Sequence, residues 1–340
     1  MFGLGFGLGV DLGTSNIAIY MRGKGIVLRE PCVVAVSKET GEVLAVGEGA
    51  RQMLGRTPAN VIASRPLRDG VVADFTIAQK MLKYLFARAC GRRLAKPLAL
   101  VSVPSDATNV ERRAVVEAAT MAGAKRAIPL EGCIAAAIGA GLPVMGATGS
   151  MVVTIGGGVT DIAVISLGGI VVSDCLRLGG EKMDELLARH LKREHNLMIG
   201  ERTAEEVKIT IGSAWPVGEE RVMSVRGRDL ATGLPKTVEI GSTEVRDAFA
   251  EALTPIVDRT RALLENTPPE LAADIIDHGI TLAGGGALLR GLDQRIAHHT
   301  QVPVRVADDP MSCVALGAGQ YLDVVKRLPR PRETSWRMEA

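Results

Sequence analysis

The sequence predicts an α/β fold in two lobes, each centred on a mixed sheet with helices over it. Three observations support this reading. At 340 residues the chain is longer than one hydrophobic core usually fills. Strand-like and helix-like segments alternate with short connections. A strand–glycine turn–strand pattern at 10–20 (VDLGTSNIAIY) returns at 152–165 (VVTIGGGVTDIAVI), as in a duplicated domain with one hairpin opening each lobe. Val10-Asp11-Leu12-Gly13 aligns with Val153-Thr154-Ile155-Gly156, and Ile17-Ala18-Ile19 with Ile162-Ala163-Val164 once the second turn is given two more residues.

The remaining elements follow from local pattern. A helix at 76–89 precedes a strand at Leu98–Val103. The helix within 108–123 opens at Thr108 with Glu111 three residues on, a capping-box spacing, and ends at Gly123. After the second hairpin come a strand at Ile170–Val172, the pair Gly179-Gly180 and a helix from Glu181 to about Asn196. The apolar residues Met183, Leu186, Leu187 and Leu191 of that helix share one face. Thr203 and Glu206 suggest a second capping box. Residues 221–241 read as two strands joined at Gly233, and a helix over 243–265 closes at Pro268-Pro269. The Pro- and Arg-rich stretch 327–340 reads as a frayed end.

Composition narrows the function classes. With 40 Lys+Arg against 38 Asp+Glu the net charge is +2, and aromatics are 3% of residues. Neither the basic footprint nor the stacking platforms of a nucleic-acid binder are present, so no nucleic-acid partner is expected. Cys32, Cys90, Cys133, Cys175 and Cys313 have no CxxC spacing and read as reduced, buried thiols of a cytoplasmic protein. The histidines form no HExxH pattern, and no role is assigned to His278, His298 or His299. The uncharged stretch Gly132–Thr160 is broken by Pro143 and by glycines, so it reads as helix, turn and strand rather than a membrane span. Met1–Val10 has no basic leader region and does not read as a secretory signal.

Gly284-Gly285-Gly286, within ITLAGGGALLR at 280–290, supplies a third glycine turn after a strand, with a helix start expected beyond it. Successive glycines let backbone N–H groups approach an anion or a flat ring closely. Neither GxxxxGK[ST] nor a GxGxxG opening a helix occurs, so P-loop and dinucleotide folds lose their support. What remains is a site in which two hairpins from opposite lobes pinch a polyphosphate while the third turn supports a nucleoside.

These motifs carry a family resemblance. VDLGTSN, IGGGVTD and LAGGGALLRGLD resemble the phosphate-1, phosphate-2 and adenosine motifs of the superfamily of actins, heat-shock chaperone ATPases and sugar kinases. Their surroundings, among them GKGIVLREPCVVAV, MLGRTPANVIASRPLRDGVVADF, ERRAVVEAATMAGA, AAAIGAGLPV and RTAEEVK, resemble the MreB bacterial actins and their paralogue Mbl from about residue 9 to 325. The resemblance implies an actin-like ATPase fold of four subdomains. Lobe I would take 1–145 and 315–340, with a small subdomain at about 32–75. Lobe II would take 146–314, with its own at about 182–245. It also implies ATP and Mg²⁺ in the cleft and a homopolymer of double protofilaments on the inner face of the cell membrane. Lateral wall synthesis is the implied task, with RodZ and MreC/MreD-type elongation proteins as partners.

Carried over by residue, Asp11, Gly13, Thr14, Ser15 and Asn16 would form the first phosphate loop. Gly156, Gly157 and Gly158 would form the second. Glu205, Glu206, Val207 and Lys208 would flank the ribose or adenine above Gly284, Gly285, Gly286 and Ala287. Asp11 would hold Mg²⁺ through water. Two acidic positions of the family pattern are changed: VDIGGGTTE reads VTIGGGVTD, placing Thr154 and Val159 where a carboxylate and a threonine are usual, and EEP reads EGC, placing Gly132 where a water-orienting glutamate is usual. Hydrolysis is therefore expected to be slow or absent. Glu131 or Asp161 swinging in would rescue it, so Asp11 and Glu131 stand as the catalytic candidates.

Two membrane candidates follow. The basic turn containing Arg92, Arg93 and Leu94 matches the family's insertion loop. Met1–Gly9 alternates bulky apolar residues with glycine, which suits either a lead-in to the first strand or a hydrophobic finger. Other readings are a weakly hydrolysing paralogue that modulates or scaffolds, a chaperone ATPase and a small-molecule kinase. The chaperone reading lacks room for a peptide-binding region, and Thr154 and Gly132 speak against the kinase.

Overall fold

The computed structural model describes residues 6–91, 95–216 and 218–327. Two five-stranded sheets carry the architecture. In one, strands lie in the order Gly25–Pro31, Asn16–Met21, Gly7–Leu12, Leu98–Val103, Arg126–Glu131. In the other the order is Gly169–Leu176, Thr160–Ser166, Ser150–Ile155, Ile280–Ala283, Val304–Val306. Each begins as an antiparallel meander of three strands and continues with two parallel strands reached by crossovers. The second sheet thus repeats the first strand for strand, in keeping with a duplicated sequence. The central strands bury nearly every residue (Leu8, Val10, Leu12 in one; Met151, Val152, Val153, Ile155 in the other), because helices cover both sheet faces.

The last strand of each sheet runs into a helix, Gly132–Gly139 in the first and Cys313–Arg327 in the second, and these two helices cross between the sheets. Their crossing is nearly symmetric. A Cβ on Gly139 would lie 1.9 Å from the Cys313 carbonyl oxygen, and one on Gly317 would lie 1.7 Å from that of Ala135. Each helix therefore presents a small residue and a glycine four apart to the other, the spacing that lets two helix backbones touch. The longer helix also lies on the strand Gly7–Leu12, where a Cβ on Gly9 would sit 2.4 Å from the Gly319 nitrogen. Gly7 and Gly9 thus belong to a packed strand, the lead-in expected for that part of the N-terminal run. Residues 1–5 lie outside the described residues.

Two smaller three-stranded sheets extend the molecule: Val43–Val46, Val34–Ser37 and Val61–Ser64 beside the first large sheet, and Leu197–Met198, Val222–Asp229 and Pro235–Gly241 beside the second. The helix Asn109–Met121 has the expected capping box, with Thr108 Oγ1 accepting from the Glu111 amide at 3.3 Å and Glu111 accepting from the Thr108 amide at 2.7 Å.

Three local expectations need correction. Gly200, which has no side chain to cap with, precedes the helix Glu201–Ile211, so Thr203 lies inside its first turn and forms no capping box. Beyond Gly284 the chain makes a single 3₁₀ turn at Gly285–Leu288, and the α-helix begins only at Leu292. Cys90 and Cys175 are half-buried rather than buried.

The helix crossing makes a stability prediction. Gly317→Ala drives a methyl into the Ala135 backbone and should cost roughly 2–4 kcal/mol in denaturant unfolding. Gly49→Ala, whose Cβ would meet only the Ala45 methyl at 3.7 Å, should stay within about 0.5 kcal/mol of the parent. Equal midpoints for the two variants would show that the crossing is not under this constraint.

Candidate functional site

The two hairpin turns that open the large sheets face one another across the space between them. They touch where Ser15 meets Gly157: a Cβ on Gly157 would lie 1.9 Å from Ser15 Oγ, and one on Gly158 would lie 2.7 Å from Thr14 Oγ1. Glycine is the residue that permits this approach. The second turn is in turn held by the helix Gly180–His195, whose first amides reach back to it. The Gly180 N–H donates to the Gly156 carbonyl at 2.9 Å, and the Glu181 N–H to that of Gly157 at 2.8 Å. Gly13 lies against the Asn16 carbonyl, and Asn16 is the exposed first residue of its strand.

A short hairpin from the first lobe closes on the same place. Leu67–Arg68 pairs with Val71–Val72, and the turn residues Asp69 and Gly70 have φ of 50° and 78°, the paired left-handed geometry suited to Asp-Gly. The Gly70 amide donates to Thr14 Oγ1 at 2.9 Å, and a Cβ on Gly70 would stand 2.6 Å from Val159 Cγ2 and 2.8 Å from Pro104 Cγ. Val159, one of the departures from the family pattern, therefore makes an apolar contact between the lobes.

The third glycine turn packs on the end of the second hairpin's first strand: Cβ atoms on Gly284 and Gly286 would fall 2.3 Å from the Ile155 carbonyl oxygen and 2.2 Å from its Cγ2. Gly285 has open space above it, and Ala287 is buried. On the helix Glu201–Ile211 the four candidates separate. Val207 is in the apolar core of the second lobe, and Glu206 points to solvent. Glu205 Oε2 accepts from Arg51 Nη2 of the first lobe at 2.7 Å. Lys208 Nζ donates to the Gly180 carbonyl at 2.8 Å and to Asp184 Oδ2 at 2.7 Å. Burial nevertheless pushes the Asp184 carboxyl up to about 7, against the pull of Lys208.

The acidic groups fall in distinct places. Asp11 Oδ1 accepts from Ser102 Oγ at 3.2 Å; burial raises its carboxyl to about 6, and that hydrogen bond works the other way. Glu131 accepts from Arg112 Nη1 at 2.8 Å, so its carboxylate is engaged within the first lobe. Asp161 is buried, and its oxygens accept from the Ser105 hydroxyl at 2.5 Å and the Ser105 amide at 3.2 Å; burial raises its pKa against those bonds. A Cβ on Gly132 would have only Val103 O at 3.5 Å and Asp161 Oδ2 at 3.9 Å for company. Of the two rescuing carboxylates the sequence offers, Asp161 is thus beside the space that Gly132 leaves, while Glu131 is tied elsewhere.

For a hydrated Mg²⁺, the residues present fit through one carboxylate rather than two. Asp11 offers it, and Thr154, on the adjoining lobe's central strand, contributes a buried hydroxyl with no hydrogen-bond partner. Once bound, the ion would neutralise charge on phosphate oxygens; Asp11 and Thr154 Oγ1 would orient its waters.

Sequence reasoning missed Arg65, Glu181 and Glu201, which join the lobes: Glu181 Oε1 accepts from Ser15 Oγ at 2.7 Å and Arg65 Nη1 at 3.0 Å, and Arg65 Nη2 also pairs with Glu201. It also missed Ser102 and the Asp69-Gly70 turn, although the latter lies inside a segment that carried the resemblance. Arg92, Arg93 and Leu94 lie outside the described residues.

The raised Asp11 carboxyl makes stability depend on pH. Its ordinary value is 3.8 and its folded value about 6, so the fold favours the protonated form; that contribution is complete below about pH 4 and is lost as pH rises through 6. Asp11→Asn should therefore stabilise the ligand-free chain at pH 7.5 by about 1–2 kcal/mol, a gain that disappears towards pH 4 in urea unfolding. Superimposable pH profiles would mean that the carboxylate is well solvated in the cleft.

Comparison with known proteins agrees with this architecture over nearly the whole chain. The family profile described as MreB/Mbl protein matches residues 6–330. The cell shape-determining protein Mbl of Bacillus subtilis (strain 168) is 49% identical over 324 residues, covering 95% of this chain and 97% of the relative. The cell shape-determining protein MreB of Escherichia coli (strain K12) is 49% identical over 324 residues, covering 94% and 93%. Among solved structures, MreB5 of Spiroplasma citri bound to AMPPNP superposes with a TM-score of 0.90 at 38% identity, covering 95% of this chain and 98% of that one. With its duplicated sheets, its facing glycine turns and these relatives, the chain belongs to the MreB/Mbl family of bacterial actins.

Proposed function

We propose that this protein is a nucleotide-dependent bacterial actin that polymerises into membrane-associated filaments and helps to set cell shape by organising lateral wall synthesis. The observation that carries the proposal is the meeting of the two glycine turns, Ser15 against Gly157 and Thr14 against Gly158, on equivalent hairpins of a duplicated fold. Backbone amides of such turns, with the N-terminus of the helix Gly180–His195 behind one of them, suit an ATP polyphosphate. The third turn, packed on Ile155, suits its nucleoside, and the family resemblance puts Glu205 and Lys208 beside it. The Spiroplasma relative bound to AMPPNP supports the same use of the cleft, and the names of the Mbl and MreB relatives support the task. Mg²⁺ would be held by water at Asp11. The implied partners are further copies of this chain, the inner face of the cell membrane through the turn at 92–94, and RodZ and MreC/MreD-type proteins.

The second reading, a weakly hydrolysing or non-hydrolysing paralogue acting as modulator or scaffold, is favoured by one specific feature. Gly132 offers no group to orient water, Thr154 offers no charge, and Glu131 is paired with Arg112. Orienting and proton-accepting groups are worth about 10²–10⁴-fold in rate, so binding without rapid turnover follows.

Electron microscopy of the purified protein on anionic lipid with ATP, scored beside phosphate release, tests both readings. Paired filaments with little release are expected; absence of filaments with or without nucleotide would remove the filament function. Gly132→Glu combined with Thr154→Asp should raise phosphate release roughly 10²-fold, since the Cβ at 132 has room. Release in the parent already at the rate of the double variant would overturn the slow-turnover reading.

A further inference from the structure

The charges that join the lobes come from both sides of the cleft. From the first lobe, Arg65 reaches Glu181 at 3.0 Å and Glu201, while Arg51 reaches Glu205 at 2.7 Å. Arg177 of the second lobe answers in the other direction, pairing with Asp106 at 3.0 Å and with the Asp69 carbonyl. Burial acts against the Arg65 guanidinium, yet the carboxylates of Glu181, Glu201 and Glu205 more than offset it and hold its pKa above the ordinary value. These pairs are only a fifth to a third exposed on the arginine side, so they are screened less than a surface pair. Arg65, Glu181 and Glu201 line a cavity of about 390 Å³ with Leu67, Arg68 and Asp184 at this junction.

Glu181 differs from the other carboxylates in what it holds. Its Oε1 accepts the single proton of the Ser15 hydroxyl, in the middle of the first phosphate turn, at 2.7 Å. A carboxylate and a phosphate oxygen ask for the same donor and carry the same sign of charge. With Ser15 bound to Glu181 and its Oγ lying against Gly157, the turns are closed on each other and the donor is taken.

We propose that Glu181 is an internal competitor for the nucleotide phosphate, held on Ser15 by Arg65 of the opposite lobe, so that nucleotide admission requires the Arg65–Glu181–Glu201 contact to part. The inference rests on the nucleotide-binding reading above and adds a barrier to that site. Its elements are far apart in sequence, at positions 15, 65, 181 and 201, so the device exists only when the two lobes are packed together. Weakening it speeds admission and leaves release from the bound state unchanged, because the competitor has already been displaced there.

Stopped-flow binding of a fluorescent ATP analogue to the full chain with Mg²⁺ tests this, with equilibrium binding measured in parallel. Arg65→Gln and Glu181→Gln should each raise the association rate roughly fivefold, as expected for losing a partly screened ion-pair contact, with dissociation unchanged within about 1.5-fold. Arg65→Lys, which keeps the charge, should stay near the parent rate. Raising KCl should speed association in the parent and not in Arg65→Gln. Parental association rates in both glutamine variants, with binding intact, would overturn the competitor and leave the nucleotide site standing. No equilibrium binding by the parent at millimolar analogue would remove the site itself and the competitor with it.

Discussion

The crossing of the helices Gly132–Gly139 and Cys313–Arg327 is the constraint on which the remaining structure depends. Each helix ends the sheet repeat of one lobe, and each packs against the other lobe. The long one lies on the strand Gly7–Leu12, and Cys133–Ala137 of the short one are buried in a cluster with Val152, Ala163 and Ile165 of the second sheet. Two lobes exchanging helices in this way cannot drift apart without opening a buried apolar seam. Contact at the crossing is closest at Gly139 and Gly317, which stand against the Cys313 and Ala135 carbonyls. The facing turns stand on strands of the two sheets that this crossing joins.

Glycine has different uses in the two places. At the crossing it removes side chains so that backbones can meet, and the resulting contact is dry and fixed. At Gly157 and Gly158 it removes side chains so that the opposing turn can approach, and what lies in that gap is polar: Ser15, Thr14 and the carboxylate of Glu181. A closed cleft held by hydroxyls and ion pairs competes with water and anions, whereas a helix crossing held by backbone contact does not. The molecule thus combines a rigid crossing with a chemically responsive mouth.

Legibility of the sequence divides along the same line. The duplication was readable because each hairpin writes its own strand–glycine–strand signal within a dozen residues, and Val10–Leu12 and Val153–Ile155 do occupy equivalent central strands. The Thr108 capping box was equally local. Thr203 has the same spacing but fails as a cap, because the helix starts two residues earlier at Glu201. At the site, the glycines of the three turns could be read as close approaches, but not what they approach. That Gly157 meets Ser15, that Gly70 meets Val159, or that Glu131 turns to Arg112 depends on through-space partners 19 to 142 residues away, which no periodicity encodes.

The three departures from the family pattern converge in space, and this bears on what kind of actin the chain is. Gly132 leaves a gap beside Asp161, Thr154 pairs across the hairpin with Asp161, and Val159 caps Gly70 at the closing hairpin. Two of them, Gly132 and Thr154, leave no negative charge of their own beside Asp161, a carboxyl whose pKa burial already raises. The third puts an apolar contact where the lobes close. Closure in this region is supplied by the protein's own residues: Val159 with Gly70 and Pro104, and the arginine–carboxylate pairs at the mouth. On the reading proposed above, the loss of charge at 132 and 154 slows turnover, while the Val159 contact and the arginine–carboxylate pairs favour a closed cleft.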